Sequence, residues 1–290
     1  MRKIILGILL TMLLIPKPTY ANEREVYIAL GDSLAAGQTP YTQIDAGYTD
    51  FIALQLMRHG KLAHFSKELT FPGYRVGNVI ETVRSEKATA LLEEATLITI
   101  SAGANNLLPL IAHNPQKGTL TFSQLSANFA LNEVRTQMQE LLDLVKEKAP
   151  KATIYVMGYY FPYVSVHQEQ QQGAMKSLQL LNEILKQETE NAGGLFVDVY
   201  DDFAVKRAVY LTNISDVHPN QQGYRVMANE MLKRYSGGES LTLTEDAMPA
   251  PNPMTFEEIL SLQRQQDDVS LLQNASIERD FRSSPKPIFV

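Results

Sequence analysis

Short apolar runs alternate with longer segments of helical periodicity from residue 26 to about residue 236. Residues 26–30, 97–101, 153–158 and 195–200 are apolar, β-branched or aromatic in part, and bounded by glycine or polar positions, the pattern of strands buried on both faces. Residues 62–65 form a weaker fifth strand. Between them, Leu131, Val134, Met138, Leu141, Leu142 and Val145 recur at the spacing of one helix face, and Pro150 just beyond stops the helix. Leu178, Leu181, Ile184 and Leu185 repeat the pattern before Asn191 and the break at Gly193 and Gly194. A parallel strand pair needs a crossover long enough to hold a helix, so this alternation predicts an α/β fold, a three-layer α/β/α sandwich around a parallel five-stranded sheet. Such sheets take their ligands beyond the carboxyl ends of the strands.

Both ends of the chain depart from the pattern. Arg2 and Lys3 precede an apolar run over residues 4–15, and Thr19, Tyr20 and Ala21 close it, so residues 1–21 read as a secretory signal peptide. The run is too short for the roughly 20 residues of a spanning helix. We therefore expect export, with no integral membrane anchor after cleavage. After Arg234, Gly237 and Gly238 open a tail rich in proline, and residues 237–290 read as an appendage to a domain of residues 22–236. Within it, Thr255 stands three residues before Glu258 as in a capping box and predicts a helix over 256–273.

Composition narrows the function classes. Cleavage would remove Arg2, Lys3 and Lys17 and take the formal charge from −6 to −9. That acidity argues against nucleic acid as a partner. The chain has no cysteine, which excludes a disulfide framework, a thiolate metal site, a cysteine nucleophile and a lipid-modified cysteine. Release from the cell or loose association with the wall is expected. His59, His64, His113 and His167 lie at a helix end, in a strand and in loops, without metal-ligand spacing, and no metal or cofactor is expected.

Chemistry gathers at the strand ends. "YIALGDSLAAG" places Ser33 just past the first strand. A serine hydroxyl needs a base to take its proton and donors to meet the oxyanion that follows. "LTFPGYRVG" places Gly73 after the weak strand, "ISAGANNLL" places Gly103, Asn105 and Asn106 after the next, and "ISDVHPNQQGY" holds Asp216 and His218 before a helix-forming segment. Each alone has a plain structural explanation: glycines permit tight turns, an asparagine caps a helix, and a histidine beside proline is commonly a packing residue. Their succession, each at a strand end, points to a catalytic set. Tyr159, Tyr160, Phe161 and Tyr163 follow another strand end, either as walls of an acyl pocket or as core and loop packing, and residues 38–48 are a candidate rim of the site.

In this order the motifs resemble the GDSL, or SGNH, hydrolase family of esterases and lipases, over most of residues 26–236. "HPNQQGY" and "VMGYYFPY" are similar to its lipase and lysophospholipase-like members in spore-forming bacilli. The resemblance implies a flavodoxin-like α/β/α sandwich, Ser33 as nucleophile and His218 as general base. It also implies an oxyanion hole from the Ser33 and Gly73 amides and the Asn105 side chain. Two positions depart from the family pattern. Asn106 stands where an aspartate is usual, and the aspartate expected three residues before the histidine is Ser215, so the triad acid falls to Asp216, two residues before. The expected activity is that of a secreted serine esterase or lipase acting through an acyl-enzyme on carboxylic esters, those of lipids first, with rates that fall in acid as the base is protonated. Acetyl esters of cell-wall or plant polysaccharide are the alternative substrate, and a non-catalytic binding module, motivated by the shifted acid, is the alternative class.

Overall fold

The computed structural model describes residues 24–261. Residues 1–21, read as a signal peptide, and residues 262–290 lie outside them. Strand β1 (Glu25–Gly31) leads into a single helical turn, α1 (Ser33–Ala36), followed by α2 (Tyr48–Arg58), β2 (Leu62–Thr70), α3 (Val76–Arg84), α4 (Glu86–Leu92), β3 (Leu97–Ser101) and α5 (Ala104–Leu107). A hairpin of β4 (Ile111–Asn114) and β5 (Thr119–Phe122) precedes the long α6 (Gln124–Lys148). Then come β6 (Thr153–Met157), α7 (Gln168–Asn191), β7 (Leu195–Val197), α8 (Tyr200–Val205), α9 (Arg207–Tyr210) and α10 (Gln221–Ser236).

Five strands form one parallel sheet in the order β2-β1-β3-β6-β7. The chain steps outward from β1 to β2, returns past β1 to β3, and then continues one way to β7. Right-handed crossovers therefore put α2 on one face and α3, α6 and α7 on the other. Packing agrees: α10 lies against α2, while α3 and α7 both lie against α6. The reversal between β1 and β3 opens a crevice at their carboxyl ends, the switch point at which doubly wound sheets take ligands. Every residue of β3 is buried, as are Tyr27 to Leu30 of β1, so both strands that carry the crevice are fixed by the core.

Three elements differ from the pattern reading. β7 stops at Val197 because Asp198 Oδ1 accepts the Tyr200 N–H at 2.9 Å and turns the chain into α8. β2 runs on to Thr70 as an edge strand, where polar Lys67 and Glu68 conceal the apolar signal and Lys67 pairs with Asp50 at 2.7 Å. The β4–β5 hairpin has strands of only four residues each, and it places His113 in a strand rather than a loop.

The core does not stop at residue 236, where the composition changes. Leu241 and Leu243 are buried in the main hydrophobic cluster. The Asn229 side chain brackets Leu243, accepting its N–H at 2.7 Å and donating to its carbonyl at 3.0 Å. The Thr255 N–H donates to Glu258 Oε2 at 2.7 Å and the Glu258 N–H to Thr255 Oγ1 at 3.2 Å, a capping box that opens a helix over 256–261. The remainder of the helix read over 256–273 lies outside the described residues. Among the described residues, no helix is long and apolar enough to cross a membrane.

Candidate active site

Ser33 owes its position to its two predecessors. Gly31 has φ +131°, and a Cβ there would lie 2.1 Å from the Ser101 carbonyl oxygen, so only glycine lets β1 pass this close to β3 as it turns. Asp32 is the N-cap of α1. Its Oδ1 accepts the Leu34 N–H at 3.0 Å and the Ser101 hydroxyl at 2.6 Å, and its Oδ2 accepts the Tyr159 hydroxyl at 2.6 Å. Burial pushes the Asp32 carboxyl above its usual range, opposed by these three donors and by the nearby His218. Burial and the adjacent Asp32 charge raise the Tyr159 hydroxyl well above its own, so it stays a donor. Ser33, first residue of the helix, is thereby held with its N–H among the groups that have no intrahelical acceptor.

The other members converge on this point. Ser33 Oγ lies 2.7 Å from His218 Nε2, and His218 Nδ1 lies 2.7 Å from Asp216 Oδ1. The two-residue spacing closes because Asp216 Oδ1 also accepts the His218 backbone N–H at 2.8 Å, an Asx turn that folds the carboxylate back under the ring. Ser215, at the usual position of the acid, is exposed and donates its N–H to Asn213 Oδ1 at 3.0 Å. The Tyr160 hydroxyl donates to the Val217 carbonyl at 2.9 Å and steadies the loop from the side.

Gly73 sits in the turn Phe71-Pro72-Gly73-Tyr74, closed by the Tyr74 N–H on the Phe71 carbonyl at 3.2 Å. Proline at the second position and φ +84° at Gly73 make it a type II turn. Asn105 lies in α5 and donates from Nδ2 to the Tyr74 carbonyl at 2.9 Å, leaving one amide hydrogen for another acceptor. Asn106, in place of the usual aspartate, accepts the Val76 N–H at 3.2 Å at the start of α3. The two asparagines thus pin residues 74–76 and with them the turn that carries Gly73.

From Ser33, Asn105 and His218 a cavity lined mainly by aliphatic and aromatic side chains runs inward. Tyr159, Tyr160, Phe161 and Tyr163 line it and are at the same time buried members of the two hydrophobic clusters. It follows the seam between the main core and a second hydrophobic cluster that contains Leu120, Phe161, Tyr163 and Ala174. The β4–β5 hairpin contributes Ile111 and Phe122, and α7 contributes Ala174 and Leu178.

With this geometry established, residues 29–226 match the sequence profile of the GDSL-like lipase/acylhydrolase family. The chain belongs to that family. As a GDSL acylhydrolase it is a carboxylic ester hydrolase. Among solved structures it is similar to the lipase Lip_vut3 from a goat rumen metagenome, at 21% identity and a TM-score of 0.58 over 74% of this chain and 98% of that one. It is also similar to Axe2, an acetylxylan esterase from Geobacillus stearothermophilus, at 18% identity and a TM-score of 0.54 over 73% and 94% of the two chains. Phospholipase A1 from Streptomyces albidoflavus NA297 matches at 16% identity and a TM-score of 0.51 over 71% and 98%. No functionally curated protein matches the chain.

Some parts of the GDSL acylhydrolase site escape a reading of the sequence. Asp32 passes for a turn residue, because its partners Ser101 and Tyr159 are 69 and 127 positions away. The cavity's hairpin roof escapes as well, although Asn114-Pro115 and Lys117-Gly118 are turn signals between its strands.

Proposed function

We propose that the protein is an exported serine esterase whose preferred substrates carry an extended acyl chain, as lipids do. The observation that carries the reading is the cavity that opens directly from Ser33 and His218, whose mainly aliphatic and aromatic lining suits a hydrocarbon chain better than a sugar. Ser33 Oγ attacks the ester carbonyl as His218 Nε2 takes its proton, with Asp216 holding the imidazole by Nδ1. The Ser33 N–H, the Gly73 N–H and the free Asn105 amide hydrogen receive the oxyanion. His218 then protonates the departing alcohol, and water, deprotonated by the same imidazole, releases the acid from Ser33.

A series of p-nitrophenyl esters from acetate to dodecanoate tests the substrate class. We expect kcat/KM to rise with chain length beyond butyrate. A strict acetyl preference would instead favour deacetylation of a polysaccharide. Export rests on residues 1–21, and N-terminal sequencing of protein recovered from the culture medium should begin at Asn22.

A further inference from the structure

The family match ends at residue 226, yet the chain beyond α10 returns to the active-site edge and touches it twice. The first contact is with the loop of residues 38–45. Met254 and Ile44 exchange backbone hydrogen bonds, each at 2.8 Å, and the Asn252 N–H donates to both oxygens of Asp45, at 3.2 and 3.1 Å. The second is with the turn that carries Gly73, where the Phe256 ring packs edge-on against Phe71 at 5.1 Å and 88°, and Phe71 stacks on Tyr74 at 5.1 Å.

What the loop holds gives these contacts their meaning. Its start is anchored on the nucleophile residue, for the Gly37 and Gln38 N–H groups donate to the Ser33 carbonyl at 3.0 and 2.9 Å. The Gln38 side chain stands 3.5 Å from His218 Nδ1, and the Gln38 carbonyl accepts the Tyr224 hydroxyl at 2.7 Å. Asp45 joins three parts at once. Its N–H donates to the Gly37 carbonyl at 3.0 Å, its Oδ2 accepts Gln221 Nε2 at 2.9 Å, and its carboxylate accepts the Asn252 N–H. Gln221 opens α10, three residues after His218.

We infer that residues 252–256 form a strap that, through Ile44 and Asp45, holds the loop of residues 38–45 beside Ser33 and His218, and the Gly73 turn with it, in register, so that Asp45, Asn252, Met254 and Phe256 are positioning residues for ester hydrolysis. The inference rests on the serine-esterase reading above. None of the four is a catalytic residue. Residues 251–253 are exposed and Phe256 is half-buried, so the strap adds little to the core; its contribution is to restrain a loop without regular structure. A displacement of about 1 Å between reacting groups costs on the order of 100-fold in rate, which makes such a restraint measurable.

The test uses the whole chain and a fluorophosphonate that labels an activated serine. The Asp45→Ala variant and the double variant Asn252→Pro with Phe256→Ala should label to completion, with unfolding midpoints within about 3 °C of the parent. Their labelling rate and kcat should fall about 10-fold or more while KM stays within about twofold. Asp45→Asn should recover most of the rate, because its amide oxygen still accepts the Asn252 N–H and Gln221 can turn its own oxygen toward the new amide. If Asp45→Ala does not fold, the double variant decides, since it alters only exposed and half-buried strap positions. Labelling of the variants at the parent's rate would overturn the strap. A parent that does not label at Ser33 would overturn the esterase reading, and the strap with it.

Discussion

Asp32 has the most to lose from its surroundings and the most to give to its neighbour. A carboxylate taken out of water is stable only when its oxygens are met, and three donors meet those of Asp32. Because burial raises its folded pKa above the unfolded value, its contribution to stability is fully present below about pH 3.8 and is lost as the pH rises through the higher folded value. At neutral pH the buried charge is therefore a cost. Asp32→Asn should gain unfolding midpoint relative to the parent between about pH 4 and pH 7 while losing activity, as followed by thermal melts at both values; a constant difference would contradict this. For Asp216 the expectation is kinetic. Asp216→Asn should lower kcat by on the order of 10³- to 10⁴-fold with little change in KM, measured on a soluble ester, because the imidazole loses its orienting carboxylate. Ser33, Gly73 and Asn105 were legible because each stands in a local motif just past a strand; His218 was legible from its own motif, although the structure places it between α9 and α10 rather than at the strand end expected. Asp216 was named despite irregular spacing, and the Asx turn that makes the spacing work depends on backbone geometry that spacing alone does not encode.

At the scale of elements, the β4–β5 hairpin and α7 turn a surface crevice into a seam between two hydrophobic clusters. Ala174 of α7 is buried and faces this space. Ala174→Phe should fill part of it, lowering kcat/KM for dodecanoate relative to butyrate by about 10-fold or more in a chain-length series. An unchanged ratio would mean that acyl chains do not enter the seam. The strands of the sheet were readable because β1, β3 and β6 are nearly continuous apolar runs buried on both faces. β2 was read only in part, since an edge strand keeps polar side chains that blur the period. The hairpin went unread because four residues are too few to establish a period of two.

For the molecule as a whole, the order β2-β1-β3-β6-β7 puts the reversal of the chain at the carboxyl ends of β1 and β3, and Ser33 and Asn105 follow those two ends directly. His218 arrives 185 positions after Ser33, on the loop that leads into α10, so the set exists only once the sandwich has closed. Alternation of strands and helices was enough to foresee that closure. The return of residues 237–256 to the site edge was not foreseeable, because most of its anchors are side chains elsewhere in the chain, such as Gln55, Arg58 and Asn229, that bond its backbone and leave no signature in its own residue types. The central claim is that Ser33 is the nucleophile of an ester hydrolase. Its most direct test is the hydrolysis of p-nitrophenyl butyrate by the protein beside its Ser33→Ala variant. We predict turnover by the parent and a loss of about 10³-fold or more in the variant; an inactive parent, or a variant as active as its parent, would contradict the account.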